Sequence, residues 1–370
     1  MNRIAGHVLT PQGFVKGSLH HDRGRILAID GEPCDEAEAR AGDRLVLPGF
    51  VDLHVHGGGG HDTMAGDDAV REIARTHARH GTTALLVTTM TAPRAEIEAA
   101  LAALAPWARG RRDAGMARVL GVHLEGPFIS PERLGAQPDF VVPGTLADVR
   151  ALNAIAPLAL ITLAPERPGH LALIVELRRA GFLVQIGHSA GSYEDGVAAL
   201  DAGAGGFTHL FNAMTGLHHR APGLAGAALA HAEHAEIIPD LLHVHPGAIR
   251  AALRCIPGLY CVTDSTAAAG MPDGEYLLGR QRVTKCLGGV RLADGTLAGS
   301  TLTMDQALRN LVDLGLTLAE ASRRTATIAA DHLGLADRGR LVPGAWADAV
   351  VLDGALQLRE VWIEGEPLER

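Results

Sequence analysis

Eight short apolar runs alternate with amphipathic, alanine-rich stretches through the middle of this 370-residue chain. The strand-like runs are Phe50–His56, Ala84–Thr89, Val119–Glu125, Leu158–Leu163, Leu183–His188, Gly206–Leu210, Ala235–Asp240 and Leu259–Asp264. The stretches between them, such as Asp67–His80, Ala95–Ala108, Leu171–Ala180 and Tyr193–Ala202, repeat apolar positions with a helical period. Pro93 and Ser192 stand where two of these helices start. Eight βα units in series predict an α/β fold, a parallel (β/α)8 TIM barrel. A doubly wound open sheet competes. No GxGxxG follows the first strand and no Walker-type phosphate loop is present, so the barrel is preferred. Leu302–Leu314 and Leu318–His332 are expected to close it.

The two ends of the chain read differently. Arg3–Leu9, Gly13–His20 and Arg25–Asp30 are strand-like and punctuated by glycines. Asp348–Asp353 and Leu358–Gly365 are strand-like again. Neither end is large enough for its own core, so both are expected to join in one small β-sandwich domain, over 1–47 and 336–370, flanking a barrel over 48–335.

A chain that is 47% hydrophobic and 20% charged can bury a large core. A net charge of −9 argues against nucleic acid or an anionic membrane as a partner. No run of about 18 apolar residues is present for a membrane span, and the N-terminus lacks the apolar core of a signal peptide. Cys34, Cys255, Cys261 and Cys286 show no CxxC spacing and read as ordinary thiols, so a cytoplasmic location is expected.

Barrel enzymes carry their chemistry at the C-terminal ends of the strands. Those positions here hold His54 and His56, Glu125, His188, His209, Asp240 and His243, and Asp264. His54 and His56 alternate along a strand and so point the same way, with the glycines of 57–60 expected to leave open space above them. Paired imidazoles of this kind hold a divalent metal. Glu125, in VHLEGPF, is expected to be exposed at the rim, either as a helix-capping or solvent acid or as a carboxylate metal ligand. With His188 and His209 it forms a Glu-His-His set that suits zinc and leaves room for water. The only lysines, Lys16 and Lys285, sit away from inner strand ends, so Glu125 is the candidate to bridge two ions. Asp264 is either a turn carboxylate or the general base that takes a proton from water. His123 shares a face with Glu125 and is either a group that orients the site or a core histidine. His218, His219, His231, His234 and His245 read mostly as surface residues.

The blocks PGFVDLHVHG, HLEGPF, GHSAG, THLFNAM, HRAPGLAGAAL, VTDSTAAAGMPDG and LADGTLAGSTLTMDQAL, in this order, resemble the N-acetylglucosamine-6-phosphate deacetylases of the amidohydrolase superfamily. The resemblance spans essentially the whole chain. It implies a metal-dependent (β/α)8 barrel with a small β-sandwich, and hydrolysis of N-acetyl-D-glucosamine 6-phosphate to glucosamine 6-phosphate and acetate. It implies one or two divalent ions, zinc foremost, on Glu125, His188 and His209, with His54 and His56 matching members that hold a second ion. Asp264 matches the catalytic acid/base. Ala136, Gln137, Asn212, Ala213, His243, Leu297, Ala298 and Gly299 match substrate contacts. Arg220 matches an arginine that reaches the phosphate of the neighbouring subunit in a homodimer.

Two positions depart from the family pattern. Gln137 replaces a histidine, and Leu241 replaces a glycine in Asp240-Leu241-Leu242-His243. Both touch substrate contacts and leave open the sugar preference. The same superfamily offers N-acetylgalactosamine 6-phosphate or an N-acyl amino acid as alternative substrates. A non-catalytic sugar-phosphate-binding protein on the same barrel would be expected to have lost a ligand or Asp264, and none is lost.

Overall fold

The computed structural model describes residues 2–369. Met1 and Arg370 of the expected small domain lie outside the described residues. Eight parallel strands form the central sheet: β1 Phe50–Val55, β2 Thr82–Thr88, β3 Arg118–Glu125, β4 Leu158–Leu163, β5 Val184–Ile186, β6 Gly206–Phe207, β7 His234–Ile237 and β8 Gly258–Cys261. They pair in sequence order, as right-handed βα crossovers require. The sheet closes just past β8, where Val55 bridges Ser265 in parallel, and Asp264 N–H donates to His54 O at 2.9 Å. The expected (β/α)8 barrel is the observed one, and each expected strand corresponds to an observed strand.

The helices follow the sequence closely. Ser192 caps Tyr193–Asp201 in a reciprocal capping box with Asp195, which satisfies backbone N–H groups that the helix itself cannot. Arg94–Ala108 starts after Pro93 and buries Ile97, Leu101, Leu104 and Trp107 against the barrel. Each such aliphatic side chain contributes roughly 1.5–3 kcal/mol when fully buried. The expected helix over 318–332 is interrupted: α-helical Leu318–Ser322 and Ile328–His332 flank a π-helical turn at Arg323–Thr327.

Both chain ends build one seven-stranded sheet that also recruits Leu45–Pro48, the segment leading into β1. Leu45–Pro48 runs parallel to Asn2–Thr10 and antiparallel to Ala349–Leu352. Strand alternation then divides its side chains: Leu45 and Leu47 pack on the barrel core, and Val46 packs in a separate core with Ile4, Val8, Leu19, Ile26 and Val351. A cluster of charges pins this sheet to the start of β3. Glu364 accepts two hydrogen bonds from Arg118, at 2.8 and 2.9 Å, and one from Arg338, which also pairs with Asp348.

Two features differ from expectation. The glycines after His56 do not leave open space. Gly57 N–H donates to Ser265 O and Gly60 N–H to Ala267 O, and a Cβ on Gly57 would lie 2.5 Å from Ala267 N. They permit close backbone approach and stitch the end of β1 to the loop after β8. That loop carries an unexpected antiparallel sheet of Gly274–Leu278, Gln281–Cys286 and Gly289–Arg291. No helix among the described residues is long and apolar enough to cross a membrane.

Candidate metal and substrate site

A cavity of about 220 Å³ opens at the C-terminal end of the barrel. It is lined by His56, Glu125, Ala136, Gln137, His188, His209, Asn212, Ala213, His243, Asp264, Leu297 and Gly299, with Met90, Gly135, Leu278 and Thr296, which sequence reasoning missed. His54 lies beneath it, fully buried, and Ala298 is buried behind its wall. Arg220 is exposed on a loop, with Nη1 2.8 Å from Nε2 of His219, and does not line the cavity of its own chain.

Glu125, the last residue of β3, is the centre, and it is buried among the imidazoles rather than exposed at the rim as the sequence suggested. Its Oε1 lies 3.1 Å from Nε2 of both His188 and His209. Its Oε2 lies 3.1 Å from Nε2 of His56. Nε2 of His54 stands 3.2 Å from Nε2 of His56, and Nε2 of His188 stands 3.0 Å from Nε2 of His209. Asp264 Oδ1 reaches the same point from β8's end, 3.4 Å from His56 Nε2 and 3.5 Å from His54 Nε2. Two clusters therefore share Glu125: His54, His56 and Glu125, with His56 at Oε2 and His54 3.4 Å from Oε1, and Glu125, His188 and His209 at Oε1.

The donor set fits a divalent ion. Bare imidazole nitrogens brought within 3.2 Å of one another have no hydrogen to exchange when both point their lone pairs inward, whereas a cation between them satisfies both. The remaining ring nitrogens support that orientation in two cases. His54 Nδ1 bonds Glu236 Oε2 at 2.9 Å, and His188 Nδ1 donates to Arg133 O at 2.9 Å. Each leaves Nε2 free for the cavity.

Backbone strain is concentrated here. His188, His209, Phe211, Ala213 and Asp264 all have positive φ, from +29° to +79°, in the region that L residues avoid. Conformations of this kind cost about 1–3 kcal/mol each and persist where surrounding structure over-determines them, typically at functional sites.

The charges are tuned by their neighbours. Burial opposes a charge on Glu125, but the His54 and His188 imidazoles and hydrogen bonds from His188 and His209 hold it well below the usual carboxylate range. Burial also opposes a charge on His243. Its 2.6 Å bond from Nδ1 to Asp240 Oδ2, and that carboxylate's charge, raise it nonetheless. His123 is resolved as a core histidine: Nδ1 bonds Leu53 O and Nε2 bonds Thr162 Oγ1, and burial followed by the His54 charge drives it well below its ordinary value. Burial pushes Asp52, beneath His54, up to about 7.

Gln137 lines the cavity and is also held by the protein. Its Nε2 donates to Glu125 Oε2 at 2.6 Å and its Oε1 accepts from Thr91 N–H at 2.7 Å, so both polar atoms are engaged by the protein. Neither lysine approaches the site: Lys16 is exposed, and Lys285 donates to Ala268 O and Met271 O. Glu236 and Asp52, both buried in the barrel interior against His54, were not singled out. Their signal was a carboxylate inside an apolar strand, in HAEII and FVDLHV.

The amidohydrolase family model matches residues 45–368. With the barrel and its histidine–carboxylate centre, this places the chain in the amidohydrolase family, and it is a hydrolase of that family. Within it, the likeness runs to deacetylases of N-acetylated amino-sugar 6-phosphates. The chain is 40% identical over 371 residues to N-acetylgalactosamine-6-phosphate deacetylase of Escherichia coli O157:H7, covering 98% of this chain and 97% of that one. It is 40% identical over 348 residues to N-acetylglucosamine-6-phosphate deacetylase of Lysinibacillus sphaericus, covering 90% and 87%. A mutant of N-acetyl-D-glucosamine-6-phosphate deacetylase from Mycobacterium smegmatis, solved in complex with N-acetyl-D-glucosamine-6-phosphate, superposes with a TM-score of 0.90 at 35% identity, covering 99% and 98%.

Proposed function

We propose that this chain hydrolyses the N-acetyl group of N-acetyl-D-glucosamine 6-phosphate, giving D-glucosamine 6-phosphate and acetate. The observation that carries this is the convergence of Asp264 on the point shared by His54, His56 and Glu125, in a cavity at the C-terminal end of the barrel. Glu125, His188 and His209 would hold one divalent ion, zinc by their chemistry, and His54 and His56 with Glu125 would make room for a second. A bound ion would supply an activated water and polarise the amide carbonyl.

The chain's own groups do the rest. Asp264 accepts the proton of the attacking water and returns it to the departing amine, because an amide nitrogen leaves poorly as an anion. His243, anchored through Nδ1 by Asp240, turns Nε2 to the cavity as a donor for the carbonyl oxygen as charge develops there. Ala136, Asn212, Ala213 and Leu297–Gly299 shape the sugar site. The cavity lining contains no Lys or Arg among the described residues, so the phosphate needs a cation from outside. Arg220, exposed and absent from the lining of its own cavity, supplies it to a neighbouring subunit of a homodimer, where a guanidinium fork matches phosphate oxygens. Four unpaired cysteines support a cytoplasmic location.

N-acetylgalactosamine 6-phosphate is the second reading, favoured by the 40% identity to the E. coli enzyme across nearly the full chain. Acetate release from both 6-phosphates, from unphosphorylated N-acetylglucosamine and from an N-acetyl amino acid, before and after chelation, separates these. Metal-dependent release from the glucosamine phosphate with the highest kcat/KM is expected. Preference for the galactosamine epimer moves the assignment to the second reading, and release from the unphosphorylated sugar at equal kcat/KM removes the phosphate site.

A further inference from the structure

Glu236 lies on β7 inside the barrel and has no accessible surface. No lysine or arginine pairs with it among the described residues. Its Oε2 accepts from Nδ1 of His54 at 2.9 Å and from the backbone N–H of His209 at 3.1 Å. Its Oε1 lies 3.4 Å from the Tyr260 hydroxyl, which in turn accepts from Gln185 Nε2 at 2.6 Å. Gln185 Oε1 is bonded by the Thr208 hydroxyl at 3.0 Å. A chain of buried hydrogen bonds thus fixes the carboxylate from below, and the carboxylate fixes His54 from behind.

That arrangement is costly for the fold alone. Removing a carboxylate from water with only an imidazole as its ionisable partner costs free energy that an apolar side chain filling this interior position would not. One oxygen, moreover, ties together the imidazole of β1 and the backbone after β6, the two halves of the candidate metal centre.

We propose that Glu236 is a positioning residue of the metal site, holding His54 in the Nδ1–H tautomer with bare Nε2 directed at His56, Glu125 and Asp264. This rests on the metal-site reading above. A carboxylate behind a ligand imidazole fixes the ring plane and strengthens the far nitrogen as a donor, and loss of such a partner weakens metal affinity about 10–100-fold.

The test is zinc binding, independent of turnover. The full chain is stripped with a chelator, then titrated with Zn2+ against a chromophoric competitor, and bound zinc is counted by mass spectrometry. E236Q keeps an acceptor oxygen but loses the charge, and is expected to weaken the lower-affinity zinc site about 10-fold, with E236A nearer 100-fold, while circular dichroism stays as in the wild type. On an H54A background the same E236Q change is expected to cost less than about twofold, because the nitrogen it acts on is gone. Unchanged zinc affinity in folded E236Q overturns the proposal, and so does an equal loss with and without His54. If E236A does not fold, E236Q alone decides. A wild-type chain that takes up no zinc overturns the metal-site reading itself, a result distinct from normal uptake by wild type and variants alike.

Discussion

Gln137 holds Glu125 by its second oxygen: Nε2 donates to Glu125 Oε2 at 2.6 Å while Oε1 is locked by the Thr91 N–H. The glutamine therefore acts on the carboxylate that joins the two ligand clusters and has only its remaining amide hydrogen to offer a sugar. Gln137→Ala is expected to lower kcat about 10–100-fold through the loosened ligand, with KM changed little. Steady-state kinetics on N-acetylglucosamine 6-phosphate decide it. A raised KM with normal kcat would return Gln137 to the substrate side of the site.

Asp264 reaches the same point as the imidazoles but sits on the strained backbone after β8, at φ +49°. Asparagine is nearly isosteric and, after aspartate, among the residues that best tolerate that conformation. Asp264→Asn should fold, keep the zinc content of the wild type and lose at least 10²–10⁴-fold in turnover, the usual range for a removed proton-transfer group. Near-normal kcat with full metal content would sink the acid/base role.

Arg220 gives a prediction that depends on assembly. A chain carrying Arg220→Ala keeps its own catalytic groups but offers no cation to its neighbour, and one carrying Asp264→Asn does the reverse. Either variant alone should be nearly inactive at low substrate. Mixed dimers reassembled from both should recover activity, because one site then combines an intact Asp264 with the partner's arginine. Mixtures no more active than the sum of their parts would exclude the shared site.

The ion cluster between the terminal sheet and β3 predicts an acid limb of stability. Burial opposes the charge on Glu364, but hydrogen bonds from Arg118 and Arg338, with their charges, lower it to about 2. A carboxyl depressed in the folded state contributes stability above its unfolded value of about 4.3, and loses that contribution as pH falls toward 2. The shift corresponds to on the order of 3 kcal/mol near neutrality. Urea unfolding of wild type and Glu364→Gln should differ most above pH 5 and converge near pH 2–3. A difference that does not depend on pH would assign the loss to packing.

How much of this could be read from the chain alone follows from periodicity. Eight apolar runs with helical stretches between them fix a closed barrel, and ligands at strand ends are legible because strand ends are where apolar runs stop: His54, His56, Glu125, His188, His209 and Asp264 all meet in one place. Groups that act on those ligands from inside a strand leave a weaker mark. Glu236 and Asp52 sit within apolar runs, where a single carboxylate looks like noise until its partner is seen. The three-stranded sheet over 274–291 was missed for a different reason. Its strands are short, and although their burial alternates, with Leu278, Val283 and Val290 turned inward, the polar Gln281 and Lys285 share the inner face and Leu277 lies on the outer one, so the sequence does not carry the alternation. Gln137 was visible only as a departure from the family, and only the structure shows its bond to Glu125.

Leu241, the other departure, carries its own test. It adopts φ +66° on an exposed turn, between the Asp240 that anchors His243 and the exposed Leu242. A leucine in the left-handed region costs about 1–2 kcal/mol relative to glycine. Glycine gives back part of this through the larger entropy it loses on folding, about 0.5–1 kcal/mol. Leu241→Gly is therefore expected to stabilise the chain by up to about 1 kcal/mol, seen as a higher urea midpoint with unchanged slope. The hydrogen bond from His243 Nδ1 to Asp240 needs only the turn's backbone, so kcat should hold. A destabilised Leu241→Gly variant would show that the leucine side chain has a packing partner that outweighs its strain, and a face formed with a neighbouring subunit would supply one.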